Sequence, residues 1–377
     1  MTSDKLIQAA RSVEVTGPTV LLDIDQVETN YHEFVRGLPD AYVHYAVKAN
    51  PNPAILTRLN NLGCRFDAAS RGEIARLLAL DVDPAHISFG NTIKKPIDIE
   101  FAASFGINLF AADSEMELEK IARYAPGSEV FIRMLVGTTE AEWPLSRKFG
   151  CGSNRAVPLL HYARSLGLIP AGLSFHVGSQ TRHPYMWDDT LDVVAAIWRT
   201  ARDEGLMLYL LNIGGGFPAY YGVEITDTVE YGRALDHAIN SRFEGVEYLM
   251  AEPGRGLVGN AGIVVSEVLL VSRKHLEDTA RWVYLDVGKF SGLSETADEA
   301  IRYQFIVVGR EDEETAPCIL AGPTCDSADV LYERNQVQLP VGLDCGDRVL
   351  VLSAGAYTTT YSTVWFNGFD PLVEHVI

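Results

Sequence analysis

The sequence is poor in cysteine, in long apolar runs and in positive charge. Its five cysteines (Cys64, Cys151, Cys318, Cys325, Cys345) are odd in number, scattered and without CxxC spacing. That pattern fits neither a disulfide framework nor a zinc site, and no metal is expected. No segment approaches the roughly 20 apolar residues needed to cross a bilayer. The opening MTSDKLIQAARSVEV also lacks the apolar core of about 7–15 residues that marks a secretory signal, so a cytoplasmic location without a membrane partner is expected. With 31 Lys plus Arg against 50 Asp plus Glu the formal charge is −19, which argues against nucleic acid, because phosphate-backbone binding shows as a basic patch or stripe. Low-complexity tracts and sequence repeats are also missing.

What is present is an ordinary globular composition, 47% hydrophobic and 21% charged over 377 residues, enough for a barrel plus a smaller domain. From residue 42 onward, short β-branched and aromatic runs alternate with Ala/Leu/Arg/Glu stretches of helical periodicity such as AASRGEIARLLAL. The runs are YVHYAVKA, RFDAA, HISFGN, NLFAAD, EVFIRML, AGLSFHVGS, LYLLNIGGG and EYLMAEPGR. Eight strands in βα alternation predict a (β/α)8 barrel over 24–260. After Arg255 the texture turns to strands and turns, predicting a β-rich domain, barrel or sandwich, over 261–377. The early strand-like VTGPTVLLDID is expected to pair with that sheet, so residues 1–23 join it. The polar GREDEETAP reads as an exposed hairpin connection.

Catalytic groups of such barrels lie at the carboxyl ends of the strands, and the proposed strands close on Lys48, Asp67, Asn91, Asp113, Arg133, His176, Gly214 to Gly216, Glu252 and Arg255. One polar strand end is usually a turn or cap; a ring of them points to a site. Strand alternation places Lys48 on one face with His44 and Ala46. A lysine in a barrel lumen is costly unless paired or used chemically, and bonding to an aldehyde is one such use. The alternative is a lysine snorkelling at a strand tip. The glycines of NIGGGFP follow strand seven, where barrels commonly bind phosphate through backbone amides. Glu252 and Arg255 in EPGRG close strand eight, and read together as a carboxylate for a pyridinium nitrogen and a guanidinium for a phosphate. A structural ion pair is the competing reading. The combination points to pyridoxal phosphate.

In this order YAVKANPNP, FDAASRGEI, RKFG, SFHVGSQ, NIGGGFP, EPGRG, GPTCDSADVL and GAYTTTYSTVWFNGF resemble the ornithine/lysine decarboxylases, which belong to the alanine-racemase-like class of pyridoxal phosphate enzymes. Asp326 and the FNGF ending look like the basic amino acid decarboxylases rather than the meso-diaminopimelate decarboxylases, and the chain resembles the bacterial branch. The resemblance implies that Lys48 bonds to the cofactor aldehyde, His176 stacks on its ring and Glu252 pairs with its pyridine nitrogen. It assigns the phosphate to Ser179, Gly214, Gly215, Gly216, Arg255 and Tyr357, with Asp67, Glu73 and Arg133 in supporting positions. Cys325 would protonate the substrate carbon and Asp326 hold its distal amine, both inserted by the partner subunit of an obligatory homodimer. Tyr357 and Phe366 are placed beside the substrate.

The family's amine-reading segment runs here as DVGKFSGLSETADEAIRY. Ungapped spacing suggests Asp298 for the amine, with Glu295 and Glu299 as replacements. The implied reaction is decarboxylation of L-ornithine to putrescine, in polyamine synthesis. Lysine, arginine or meso-diaminopimelate are alternative substrates, since one methylene is worth only about 1–3 kcal/mol in a pocket. A non-catalytic cofactor-binding regulator is a further alternative, disfavoured because Lys48 and Cys325 are both retained.

Overall fold

The computed structural model describes residues 1–137 and 148–377. Arg147, which opens the RKFG motif, lies outside the described residues. The chain divides into two compact units, Glu28–Pro218 with Ile225–Gly254, and Met1–Val27 with Ala219–Glu224 and Arg255–Ile377.

In the first unit the parallel strands β2 (Ala41–Ala46), β3 (Arg65–Ala68), β4 (Ile87–Phe89), β5 (Leu109–Ala112), β6 (Glu129–Arg133), β7 (Ile169–Ser174), β8 (Leu210–Asn212) and β9 (Tyr248–Ala251) close into a barrel, each in the place that its apolar run predicts. Helices connect them, and short polar side chains start several. Asn52 caps Pro53–Asn61, whose first residue is the proline tolerated there, Ser70 caps Arg71–Leu78, and Asp227 caps Thr228–Asn240. Phe66, Phe89, Phe110 and Phe131, one from each of β3 to β6, are buried, as expected for parallel strands covered on both faces.

The second unit is built on one mixed sheet in the order β12 (Phe305–Val307), β15 (Arg348–Val351), β10 (Gly262–Ser272), β11 (Arg281–Leu285), β13 (Thr315–Ala321), β14 (Val330–Pro340). The early strand β1 (Thr19–Leu22) pairs antiparallel with β10 and parallel with β16 (Val373–Val376), as its β-like run predicts. The long β10 serves two sets of partners. Its first half pairs with β1 and β15, and its second half, from Val268 onward and with an irregularity between Val268 and Leu270, pairs with β11. Helix Asp4–Ser12 lays Leu6 and Ala10 on Leu21, Ile263, Val265 and Leu350.

One expectation changes. GREDEETAP joins β12 to β13, which have different partners, so it is a connection between non-adjacent strands and no hairpin. The expected β-rich domain is present as connected strands in which β10 is shared between two sets of partners. Ala219–Glu224 clusters with the β-rich unit. There the Tyr221 carbonyl accepts from Gln304 at 3.3 Å and its hydroxyl from Arg255 at 2.9 Å, contacts that no composition shift announces. No helix among the described residues is long and apolar enough to cross a membrane.

Candidate active site

The strand that delivers Lys48 ends two residues early. β2 stops at Ala46, and Val47–Ala49 form a single 3₁₀ turn, so Lys48 stands beyond the strand rather than on one of its faces, and it is exposed. Its ammonium therefore escapes the expected desolvation, and its charge acts on its surroundings, lowering the carboxyls of Asp67 and Glu73 and disfavouring a charged His176.

Asp67 is the penultimate residue of β3 and is buried, and its Oδ1 has no hydrogen-bond partner among the described residues. Burial, with the nearby charges of Glu252 and Glu73, pushes its carboxyl up to about 8, against the opposing pull of Lys48 and Arg133. Gly90 is required beside it: a Cβ there would stand 1.9 Å from Oδ1. Glu73 accepts the Ala69 amide at 2.6 Å and is raised by burial, with that amide, Lys48 and Arg76 opposing the rise. Asn91, expected among the strand-end residues, donates to the Ala69 carbonyl at 3.2 Å. Asp113 accepts the Gly150 amide at 2.8 Å. Arg133 ends β6 with its guanidinium 5.3 Å from the Phe149 ring.

His176 follows β7, and its Nδ1 accepts the Gly178 amide at 3.0 Å. Burial, then Arg133 and Lys48, hold the imidazole well below its usual pKa, so the ring is neutral with its proton on Nε2. Ser179, three residues further on, is half-buried.

After β8 the backbone turns through Gly214 (φ +70°) and Gly216 (φ +111°), both in the left-handed region. A Cβ at Gly215 would lie 3.1 Å from His176 Nε2 and 2.8 Å from the Glu252 carbonyl. Asn212 ties this turn to the acid. Its amide nitrogen donates to Glu252 Oε1 at 2.6 Å, its carbonyl oxygen accepts the Gly214 amide at 2.8 Å, and the Glu252 amide donates to the Gly214 carbonyl at 2.8 Å. The sequence reading passed over Asn212, although it is the first letter of NIGGGFP.

In the β-rich unit Arg255 is buried and pairs with Glu295 through two hydrogen bonds, Nη1 to Oε2 at 2.8 Å and Nη2 to Oε1 at 2.5 Å. Burial opposes its charge, but Tyr221 and Glu295 outweigh that and hold the guanidinium well above its usual pKa. Tyr357, at φ +56°, has its ring 5.0 Å from the same guanidinium.

The segment expected to read an amine is largely committed to the fold. Glu295 serves Arg255, and Glu299 accepts the amides of Glu333, Arg334 and Asn335, which hold it down to about 2 against the effect of burial. Asp298 is exposed in a left-handed conformation, with its carbonyl accepting from Arg334.

Cys325 and Asp326 are exposed on the turn between β13 and β14. The Cys325 amide donates to Asn367 Oδ1 at 2.9 Å, Asp326 accepts the Ala328 amide, and Phe366 packs on Phe290 at 4.7 Å. Buried Asp329 fixes the base of the turn by accepting the Thr324 hydroxyl and the Lys289 amide. It needs glycine at 288 and 322, where a Cβ would stand 2.3 and 2.4 Å from it. Asn367 and Asp329 are further residues that motif reading alone did not single out.

A lysine whose charge is felt by two carboxyls, a neutral histidine against a glycine turn, and an acid held by an asparagine fit an aldehyde cofactor carrying a phosphate. A cradle that admits no Cβ and an orphaned buried carboxylate oxygen fit such a group. The family profile described as "Pyridoxal-dependent decarboxylase, pyridoxal binding domain" matches residues 24–259, and the chain belongs to that family. It is 34% identical over 354 residues to a lysine/ornithine decarboxylase of Selenomonas ruminantium, across 93% of this chain and 87% of that protein. The crystal structure of lysine/ornithine decarboxylase complexed with putrescine from Vibrio vulnificus matches with a TM-score of 0.87 and 30% identity, across 100% of this chain and 99% of that one. The arginine decarboxylase of Paramecium bursaria Chlorella virus bound to agmatine matches at 0.88 with 29% identity, across 98% of this chain and 100% of that one. The protein is thus a pyridoxal phosphate-dependent decarboxylase of the ornithine/lysine type.

Proposed function

We propose that the protein removes the α-carboxylate of L-ornithine, giving putrescine and CO2, as a step of polyamine synthesis in the cytoplasm. The observation that carries this is Lys48 standing at the barrel's strand ends among Asp67, Glu73 and His176, in a chain of the decarboxylase family. Its likeness to proteins named for lysine and ornithine supports dibasic substrates and makes a dual preference the second reading. Five free thiols accord with a reducing compartment.

When bound, pyridoxal phosphate supplies an aldehyde that bonds an amine and a ring that takes up the electron pair left behind by CO2. Lys48 would hold the cofactor through its Nζ. Glu252, aimed by Asn212, would keep a proton on the pyridine nitrogen, and uncharged His176 would pack against the cofactor without competing for charge. Ser179 and the amides of Gly214 to Gly216 would hold the phosphate, and the family resemblance assigns Arg255 and Tyr357 to it as well.

The active form is a homodimer in which Cys325 Sγ of the partner subunit gives its proton to Cα after CO2 has left, and Asp326 of the partner subunit holds the distal amine. Exposure of both side chains supports that role. Asp298, the exposed acid of its segment, remains the second candidate for the amine. Tyr357 and Phe366 border the substrate.

The test is kcat/KM for CO2 release from L-ornithine, L-lysine, L-arginine and meso-diaminopimelate, each with added cofactor. Ornithine ahead by tenfold or more is expected, equal ornithine and lysine rates establish the dual reading, and preference for arginine or diaminopimelate contradicts both.

A further inference from the structure

Arg255 is 4% exposed and Glu295 7%, so each spends its charge almost entirely on the other. A guanidinium has five N–H groups arranged in a rigid fork. Its end-on edge, one hydrogen from each Nη, goes to the two Glu295 oxygens, and the remaining Nη1 hydrogen goes to the Tyr221 hydroxyl at 2.9 Å. Nε is buried and has no hydrogen-bond partner among the described residues. The Nε hydrogen and the second Nη2 hydrogen lie side by side and form the guanidinium's other two-pronged edge. Buried donors in native proteins are almost always satisfied, and a two-pronged N–H edge matches a pair of phosphate oxygens.

We propose that Glu295 is a positioning residue for the cofactor phosphate: by occupying the end-on edge of Arg255, with Tyr221 on the outer Nη1 hydrogen, it leaves the Nε and Nη2 edge as the donor pair for the phosphate. This rests on the cofactor reading above and replaces the expectation that Glu295 meets the substrate amine. It also explains why an acid stands beside an anion site: the carboxylate fixes the direction of the donor and touches only the far side of the guanidinium.

The test measures binding of pyridoxal phosphate and of pyridoxal, which lacks the phosphate, to cofactor-free full-length protein by the absorbance band near 420 nm. The proteins compared are wild type, Glu295→Ala, Glu295→Gln, Arg255→Ala and the Arg255→Ala/Glu295→Ala double variant. Glu295→Ala is expected to weaken pyridoxal phosphate at least tenfold while leaving pyridoxal unchanged. Glu295→Gln, which keeps one acceptor for Arg255, is expected to fall in between, and the double variant to be no weaker than Arg255→Ala alone.

Wild-type affinity in both Glu295 variants overturns the proposal, as does an equal loss for pyridoxal and pyridoxal phosphate, which marks a merely structural acid. Losses that multiply in the double variant also overturn it, because Glu295 would then act independently of Arg255. A wild-type protein that develops no band with either compound overturns the cofactor reading itself, and this proposal with it.

Discussion

Asn212 and Glu252 are joined by a 2.6 Å hydrogen bond in which the amide nitrogen donates to the carboxylate, while the other end of Asn212 accepts the Gly214 amide at 2.8 Å. One side chain thus sets both the aim of the acid and the shape of the glycine turn. A hydrogen bond to a charged group is worth about 1.5–3 kcal/mol, or roughly a 10- to 100-fold effect on a rate. Asn212→Asp keeps the acceptor for Gly214 but sets a carboxylate against Glu252. Its kcat should fall by that order while the cofactor dissociation constant changes less than threefold; comparable losses in both would show that Asn212 serves only the fold of the turn.

Lys48 is assigned the covalent link. Borohydride reduction of the protein with pyridoxal phosphate, followed by peptide mass spectrometry, should place the label on Lys48 and leave Lys48→Ala unlabelled at every lysine. Label on another residue, or undiminished labelling of the variant, would refute the assignment.

The buried Asp67 carboxyl makes cofactor-free stability depend on pH. Its folded pKa, about 8, lies above the ordinary value of 3.8, so between those values the folded chain binds more protons than the unfolded one. Stability from this group is therefore full below about 4 and declines as pH rises toward 8. Asp67→Asn removes that decline, so the Tm difference between variant and wild type should grow in the variant's favour from pH 5 to pH 8. A difference independent of pH would mean that the carboxyl ionises normally.

The proposed sharing of active sites between subunits predicts complementation. Lys48→Ala and Cys325→Ala proteins, each inactive alone, should regain up to about a quarter of wild-type activity when mixed, because hybrid dimers pair one intact lysine with one intact cysteine. If subunit exchange is verified by mass spectrometry and no activity returns, the two residues do not complete each other's site.

The barrel was legible because each strand is an apolar run and each intervening helix is amphipathic, and the polar strand ends from Lys48 to Glu252 could be read by position alone. The strand-face argument for Lys48 was not reliable, since a one-turn 3₁₀ helix over Val47–Ala49 resets the alternation that places it. Nor could the use of the acids at 295–299 be read from sequence: Glu295 meets Arg255 across 40 residues, and Glu299 meets amides more than 30 residues away. Such long-range pairings leave no local period. Asn212, Asp329 and Asn367 were overlooked for the same reason, as each acts by holding another group rather than by bearing an unusual chemistry of its own.

The most direct measurement is the fate of carbon-1 of L-ornithine. Purified protein with pyridoxal phosphate and L-[1-13C]ornithine should release labelled CO2 and putrescine in equal amounts, and the Lys48→Ala protein should release neither. Cofactor binding without labelled CO2 from ornithine, or exchange of the Cα proton with the carboxylate retained, would contradict the account.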